Sequence, residues 1–393
     1  MQPMQDLEQS IERYEKYAKA DTNNVVLWLN LGDLYHRAAR FDEATACFEH
    51  CLEQNPTYAP ARGRLASVLI SQHRFEEAEK ILRALIAGGD ADPALFHNLG
   101  LALFYQDRWT EARDCFAEAK SRDLKAPTNY AYLARALHHL GMTAEAIEAC
   151  RAWSELSNST DSKGYLALLE MDNGNMARAS ELARAVLAQN VENVDANVVA
   201  GSASVETQDI REARSHFETV LRQRKDNGRA WLGLGLVHLY EQEHAQAIHA
   251  LEQAARLIPD NPGIMVTLGW AHVAVKDVAA AERIFQQAIA VDRNFGESHG
   301  GLAVAYAFQR KIDLAQSEIR IATRLDPAGF GAAFAKTIVL KLQGREQAAT
   351  ELLARLFEQA PAAGTPTLIE QLRMYGAKQL QIAKPTAAAP KRE

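Results

Sequence analysis

An alanine returns along this chain at a nearly constant spacing, and this recurrence constrains the fold more than any other feature. Nine steps separate ten such alanines; eight steps span 34 residues and one spans 33. Self-similarity at one period of this length predicts a stack of small structural units, each in contact with its neighbours in sequence. The alanines are Ala44, Ala78, Ala112, Ala146, Ala179, Ala213, Ala247, Ala281, Ala315 and Ala349.

A second small residue precedes each alanine by twelve positions, as Gly32 precedes Ala44, and only Thr337 breaks this series. Small side chains at two fixed places predict two helices that cross closely in every unit, because extra methylenes there would cost about 1–3 kcal/mol. The register places the starts of ten units at Val25, Ala59, Pro93, Pro127, Thr160, Val194, Gly228, Pro262, Gly296 and Phe330.

The first unit carries further marker residues, in the order Trp28, Leu31, Gly32, Tyr35, Ala44, Phe48 and Pro56. This pattern resembles the tetratricopeptide repeat (TPR). The resemblance implies an all-α, right-handed superhelical solenoid of about ten helix–turn–helix repeats. It also implies a concave groove lined by the first helix of each repeat.

Both ends of the repeat array are expected to be covered by extra helices, because a solenoid must close its terminal apolar faces. Ile11, Tyr14 and Tyr17 predict a capping helix within residues 1–24. Repeats one to four then occupy 25–159 and repeats five to ten occupy 160–363. A C-terminal capping helix is predicted over 364–383 and a disordered tail over 384–393.

The fourth and fifth repeats depart from the pattern. Trp153 occupies a place usually held by alanine, and Lys163 and Glu170 replace the large aromatics of the first repeat. The residues between, 156–164, are polar and predict a loop. Two interpretations remain open: ordinary sequence drift, or a flexible seam between two parts of the solenoid.

Composition excludes several classes of function. The chain has 393 residues and a formal net charge of −7, whereas nucleic-acid binding requires clustered cations. The sequence shows neither a signal peptide nor an apolar run long enough to span a membrane. Its four cysteines are few for its length, which favours a reduced, cytoplasmic protein without direct membrane insertion.

Motifs for catalysis, cofactors and metals give no consistent site. His299-Gly300-Gly301 is similar to an oxyanion-hole loop but falls inside a predicted helix. Cys47 and Cys51 lie one helical turn apart, at packing positions, and no ligand pair accompanies them. We therefore expect no enzyme activity, no cofactor and no metal, with both cysteines in the core.

The TPR resemblance implies which side chains line the groove. In repeats one to four the lining is polar, and in repeats six to ten it is apolar. Some of these side chains could instead pack against neighbouring helices, which leaves the exposure of the apolar part open. The candidate binding residues are Asn30, Arg64, Asn98, Arg135, Leu232, Leu236, Leu239, Tyr240, Trp270, Val304 and Phe308.

The function expected from these features is a non-catalytic adaptor that binds a protein or peptide in its groove. The partner is expected to be an amphipathic helix or an extended apolar segment, within a larger complex. Resemblance to Ala-rich bacterial TPR chains suggests a secretion, pilus or envelope-polysaccharide assembly. The alternative is a regulatory or substrate-binding subunit of a separate enzyme.

Overall fold

The computed structural model describes residues 2–358, and all regular secondary structure within that range is α-helical. Every predicted repeat start coincides with the first residue of a helix, from Val25 to Phe330. The predicted register is therefore confirmed for all ten repeats. The C-terminal capping helix and tail, predicted over 364–393, lie outside the described residues.

The chain divides into two compact units, and the first ends at Asn175. Each of its helices packs against the next one in sequence. They are α1 (Gln2–Ala20), α2 (Val25–Arg37), α3 (Phe41–Gln54), α4 (Ala59–Ser71), α5 (Phe75–Ala87), α6 (Pro93–Phe104), α7 (Trp109–Ser121), α8 (Pro127–His139), α9 (Thr143–Ser157) and α10 (Thr160–Asp172).

The second unit begins at Met176 and repeats the same packing order. Its described helices are α11 (Met176–Leu187), α12 (Val194–Glu206), α13 (Ile210–Gln223), α14 (Gly228–Tyr240), α15 (His244–Leu257), α16 (Pro262–Ala274), α17 (Val278–Val291), α18 (Gly296–Phe308), α19 (Ile312–Leu325), α20 (Phe330–Leu342) and α21 (Glu346–Glu358).

Local chemistry sets the starts of many first helices. The side chains of Asn24, Asn193, Asn227 and Asn261 each accept a hydrogen bond from a backbone N–H in the first turn. This satisfies a donor that has no partner inside the helix. Proline opens α6, α8 and α16, where its missing N–H costs nothing.

The small residues of the repeat make room for aromatic rings. A Cβ built on Gly100 would lie 2.6 Å from the Phe116 ring, and one on Gly269 would lie 2.6 Å from the Phe285 ring. The ten recurrent alanines are all buried, as the register predicts. In these two repeats, the close crossing inferred from sequence is a fit between a glycine on the first helix and a ring on the second.

The polar segment predicted as a loop, 156–164, is nearly all helical, which corrects that expectation. Only Asn158 and Ser159 lie between α9 and α10. Ser159 caps α10 by accepting from the N–H of Ser162, whose own hydroxyl donates to the Ser159 carbonyl. A serine-rich segment does not distinguish a loop from a helix start, because serines cap helices as readily as they form turns. The boundary between the compact units falls one helix later, between Asn175 and Met176.

Helices α18 and α20 approach each other through glycines. A Cβ built on Gly300 would lie 2.9 Å from the backbone nitrogen of Ala332 and 3.0 Å from the Gly331 Cα. The carboxylate of Glu297 accepts a hydrogen bond from the N–H of Gly331, at 3.3 Å, and so caps the start of α20. Burial raises the pKa of Glu297, against the opposing effect of the backbone N–H groups of Gly331 and Phe330.

Candidate partner-binding surface

Polar side chains join consecutive first helices in the N-terminal unit. Arg64 of α4 forms an ion pair with Asp33 of α2, with Nε 2.7 Å from Oδ1. The Nδ2 of Asn98, on α6, donates to the Ser67 hydroxyl on α4 at 2.9 Å. The sequence placed Asn30, Arg64 and Asn98 on one binding surface, and the structure brings Arg64 and Asn98 into a chain of contacts that crosses three repeats.

Arg135 of α8 continues this surface in an aromatic setting. Its guanidinium carbon lies 5.0 Å from the ring centroids of both Trp153 and Tyr165, and 5.7 Å from that of Tyr132. A cation over aromatic faces is stabilised electrostatically, by about 0.5–2 kcal/mol depending on its exposure. The unusual Trp153, noted in the sequence only as a departure from the pattern, is therefore one wall of the Arg135 site.

Two further contacts extend the polar surface to α10. His138 Nδ1 lies 2.9 Å from the Tyr165 hydroxyl, and its Nε2 lies 2.8 Å from Asp172 Oδ2. The hydroxyls of Tyr105 and Tyr132 are 2.6 Å apart, and burial raises the pKa of Tyr132 to about 12. At neutral pH this phenol stays protonated, so it can donate a hydrogen bond.

A pocket of about 420 Å³ opens at the α1 and α2 end of this surface. Burial lowers the pKa of His36, despite the nearby Asp33 carboxylate, so the imidazole is neutral at physiological pH. Its Nε2 lies 2.9 Å from the Ser71 hydroxyl. The capping helix contributes Tyr14 to this pocket, a role that the sequence pattern does not predict because Tyr14 there indicates only a cover for the first repeat. The lining residues are Tyr14, Asn30, Asp33, Leu34, His36 and Arg37.

Three of the seven apolar residues predicted for the groove lie in the core, which corrects that part of the prediction. Trp270 is 3% exposed, Leu239 1% and Val304 0%. The Trp270 ring lies 5.7 Å from that of Phe285 and 5.8 Å from that of Phe330. The groove positions of a repeat all lie on one side of its first helix. At these three residues, neighbouring helices cover that side.

The other four apolar candidates are half-buried. Leu232 packs against the cluster that contains Leu239 and Leu251, and Phe308 packs against the larger cluster around Trp270 and Phe334. Leu236 and Tyr240 are also partly accessible on α14. These side chains leave a narrower apolar surface than the sequence predicted.

One group of possible metal ligands lies among the described residues, at His238, Glu241 and Glu243. Its charges are already partnered: His238 Nδ1 lies 2.6 Å from Glu243 Oε2, and Arg214 pairs with both glutamates. A guanidinium in this position occupies the place that a metal cation would need, so the arrangement is a salt-bridge cluster.

The residues weighed for catalysis have structural partners. His299 is buried inside α18, with Nδ1 2.6 Å from Glu318 Oε2 and Nε2 3.0 Å from the Arg293 carbonyl. Burial raises the pKa of Cys47 to about 12 and that of Cys51 to about 11. Both cysteines are core residues, as predicted, and their thiols are poor nucleophiles at neutral pH.

Within residues 2–358, we find no helix whose length and hydropathy would allow it to cross a bilayer.

Comparison with protein families supports the repeat register. A family model described as tetratricopeptide repeat matches residues 38–103 and 238–304. A second model of the same description matches 97–159 and 198–262. Together the two models cover more than half of the chain.

Curated relatives with detectable similarity are subunits of multiprotein complexes by name. The chain is 23% identical to bovine BBSome complex member BBS4 over 75% of its own length and 56% of that protein. It is 24% identical to human Superkiller complex protein 3 over 68% of its length and 16% of that protein. The chain thus spans under two thirds of the length of the relatives it matches.

Two solved structures share the fold. One is the anaphase-promoting complex heterotetramer of Cut9 and Hcn1, with a TM-score of 0.53 at 14% identity, covering 96% of this chain and 88% of that one. The other is the human IFIT1 dimer with m7Gppp-AAAA, with a TM-score of 0.52 at 17% identity, covering 84% and 89%. At these identities the likeness concerns the fold.

Proposed function

The chain belongs to the tetratricopeptide-repeat family, and from that starting point we propose that it is a non-catalytic scaffold which holds a segment of a partner protein. The observation that carries this proposal is the polar surface that crosses the first helices from α2 to α10, with the pocket beside Asn30 and Arg37 at its end. We place the working surface in this N-terminal unit.

The geometry of that surface suits an extended peptide. The contacts Asp33–Arg64 and Asn98–Ser67 fix side chains that would otherwise lose rotamer freedom on binding, so less entropy remains to be lost. Asn30 can both donate and accept hydrogen bonds, which matches a peptide backbone. Arg37 is exposed and offers a cation for a carboxylate.

The apolar half contributes a second, smaller part of the proposal. Leu232, Leu236, Tyr240 and Phe308 remain as accessible apolar contacts for an amphipathic helix or an extended apolar segment. The names of the matched relatives, each a member of a complex, are consistent with a role in assembly. We propose a cytoplasmic location and, as the finer setting, a bacterial secretion, pilus or envelope-polysaccharide assembly.

A photo-crosslinking experiment tests the polar surface. A photoreactive amino acid at Arg37 in the full chain should capture a protein partner in the native cell extract, whereas the same group at the exposed Lys80 of α5 should not. Capture from Lys80 alone would contradict the proposed surface.

Affinity for the captured partner then tests the residues. The Asn30→Ala/Arg37→Ala variant should weaken binding by about tenfold or more, equivalent to 1.4 kcal/mol, with unchanged helicity. Lys80→Ala/Thr110→Ala, on the second helices α5 and α7, is the matched control and should bind normally. Equal affinity for all three proteins would reject the surface.

The alternative function is a regulatory or substrate-binding subunit of a separate enzyme. The relevant observation is that the potential catalytic groups, such as His299 and Cys47, are engaged in the core of the repeats. Any associated chemistry would then belong to the partner. If the captured protein is an enzyme, adding this chain should change its kcat or KM, whereas a pure scaffold would leave both unchanged.

A further inference from the structure

A slot between α19 and α20 gathers positive charge. Its volume is about 620 Å³, and no carboxylate is among its described lining residues. Four cationic side chains surround it: Arg320 and Arg324 of α19, Lys336 of α20, and Arg345 in the turn after α20. Because the whole chain has a net charge of −7, this concentration of cations is a local feature.

The slot differs from the preceding repeat at two places. One repeat earlier, Phe285 and Leu302 fill these places and belong to one core cluster. In the slot these places hold Ile319, which has a smaller side chain, and Lys336, which is exposed. The residues Ile319, Val339 and Leu340 therefore form an apolar floor beneath the cationic rim.

An ion pair found at two earlier repeat junctions lacks its carboxylate here. At two earlier repeat junctions, a glutamate at position 21 of one unit pairs with a cation at position 16 of the next: Glu79–Arg108 at 2.8 Å and Glu282–Lys311 at 3.4 Å. The place of the glutamate is taken here by Gln316. As a result Arg345 has no carboxylate partner within the described part of the chain, and the same holds for Arg320, Arg324 and Lys336.

We propose that this slot binds an acidic segment of a partner protein in which apolar side chains alternate with carboxylates. Carboxylates would meet the four unpaired cations, with the arginines able to form bidentate contacts, while apolar side chains would cover the floor. The site lies on a second helix and the following first helix of the second compact unit and shares no residue with the polar surface of the N-terminal unit, so it is independent of the function proposed above.

Charge and shape favour this occupant over others. The chain's own residues after Glu358 contain five lysines and arginines but only two glutamates, so their charge has the same sign as that of the slot. Single-stranded nucleic acid usually stacks its bases on aromatic rings, and the described lining contains none. In an acidic peptide with alternating apolar residues, the carboxylates pair with the cationic rim and the apolar side chains pack on the floor.

Fluorescence anisotropy on the full chain tests the proposal. The probe is a short fluorescein-labelled peptide of alternating glutamate and leucine, compared with an equivalent peptide of lysine and leucine and with an oligoadenylate. We expect binding of the acidic peptide only, with an affinity that falls as salt is raised. Failure to bind it, or tighter binding of the oligoadenylate, would overturn the proposal.

Variants locate the binding site. Arg320→Glu/Arg324→Glu should weaken the acidic peptide by at least about tenfold. Arg256→Glu/Arg283→Glu makes the same change in net charge on exposed sites of α15 and α17 and should have little effect. Gln316→Glu should also weaken binding, because it restores the missing carboxylate beside Arg345. Equal effects of the two double variants, at unchanged helicity, would show nonspecific attraction and overturn the proposal.

Discussion

The backbones of Gly300 and Gly331 are in direct contact, since a Cβ placed on Gly331 would lie 2.7 Å from the carbonyl carbon of Gly300. This contact brings two first helices of successive repeats, α18 and α20, closer than any side chain would permit. It also places Glu297 where its carboxylate can cap α20.

Replacement of Gly300 by alanine should therefore destabilise the second unit. The added methyl group would meet backbone rather than a flexible side chain, and we expect a loss of about 1–3 kcal/mol, measured by urea denaturation. Gly63→Ala in α4 is the matched control, because its Cβ would lie 3.4 Å from Leu95 Cδ2, an ordinary contact. That variant should be neutral or gain up to about 1 kcal/mol from helix propensity. A stable Gly300→Ala protein would contradict the close approach.

Glu297→Gln should change the pH dependence of stability. Burial raises the pKa of Glu297 in the folded state. A raised folded-state pKa contributes stability that is present below the unfolded pKa and lost as pH rises through the folded value. Glutamine keeps the acceptor for Gly331 but carries no charge. The melting temperature of the variant, measured relative to that of the wild type, should therefore increase as pH rises from acidic to neutral.

The control for this experiment is Glu252→Gln, at an exposed site on α15. Its melting temperature should follow that of the wild type across the same pH range. A difference between Glu297→Gln and the wild type that does not vary with pH would show that the Glu297 carboxyl titrates normally.

Trp270→Ala should act as a core mutation. The side chain is almost fully buried and contacts the rings of Phe285 and Phe330. Truncation of a buried tryptophan costs about 3–5 kcal/mol, which urea denaturation would detect. Tyr105→Ala, at a site that is 47% exposed, should cost much less. Equal stability of the two variants would contradict the core position of Trp270 and would indicate that it lies on the groove surface.

The cysteines should resist thiol reagents in the folded protein. Burial raises the pKa of Cys115, like that of Cys51, to about 11, and that of Cys47 to about 12. The reactive thiolate is therefore scarce at pH 8 and increases only toward those values. Labelling with a chromogenic disulfide should be slow until denaturant is added. Rapid labelling of Cys47 at pH 8 without denaturant would disagree with its burial.

Limited proteolysis should cut first near the turn at 173–175. Asn173, Gly174 and Asn175 are exposed and lie where the first compact unit ends. The earlier polar segment is held by the Ser159 cap and by the buried Ser162. Mass spectrometry of fragments from brief proteinase K treatment gives the site. Initial cleavage between 156 and 164 would contradict this prediction and would support the flexible seam that the sequence suggests there.

The repeat register could be predicted from sequence because it depends on local spacing. Ala44, Ala349 and the eight alanines between them fix which residues share a unit, and the helix starts follow from capping residues such as Asn24 and Asn261. Periodicity does not give the distance between helices of successive repeats. That distance depends on particular contacts, such as Gly300 against Gly331.

The candidate site was predicted less completely for the same reason. Trp270 and Val304 fall at groove places in the repeat, yet neighbouring helices cover them. Arg64 and Asn98 were recognised, but their partners Asp33 and Ser67 come from the preceding repeat and were not paired from sequence. Lys336 stands where the preceding repeat has Leu302, and its meaning depends on the absence of a carboxylate beside Arg345.

The glycines that accept aromatic rings also divide the second unit into larger blocks. Phe217 fits against Gly201 of its own repeat and against Gly233 of the following one, and Phe285 does the same with Gly269 and Gly301. One ring thus joins repeats six and seven, and another joins repeats eight and nine. Removing the second repeat of either pair would leave a ring without its second glycine, and removing the first would leave that glycine without its ring. Removing a whole pair would keep every ring matched. The packing unit of this region is therefore a pair of repeats, and changes in its length are expected to be tolerated in steps of two repeats.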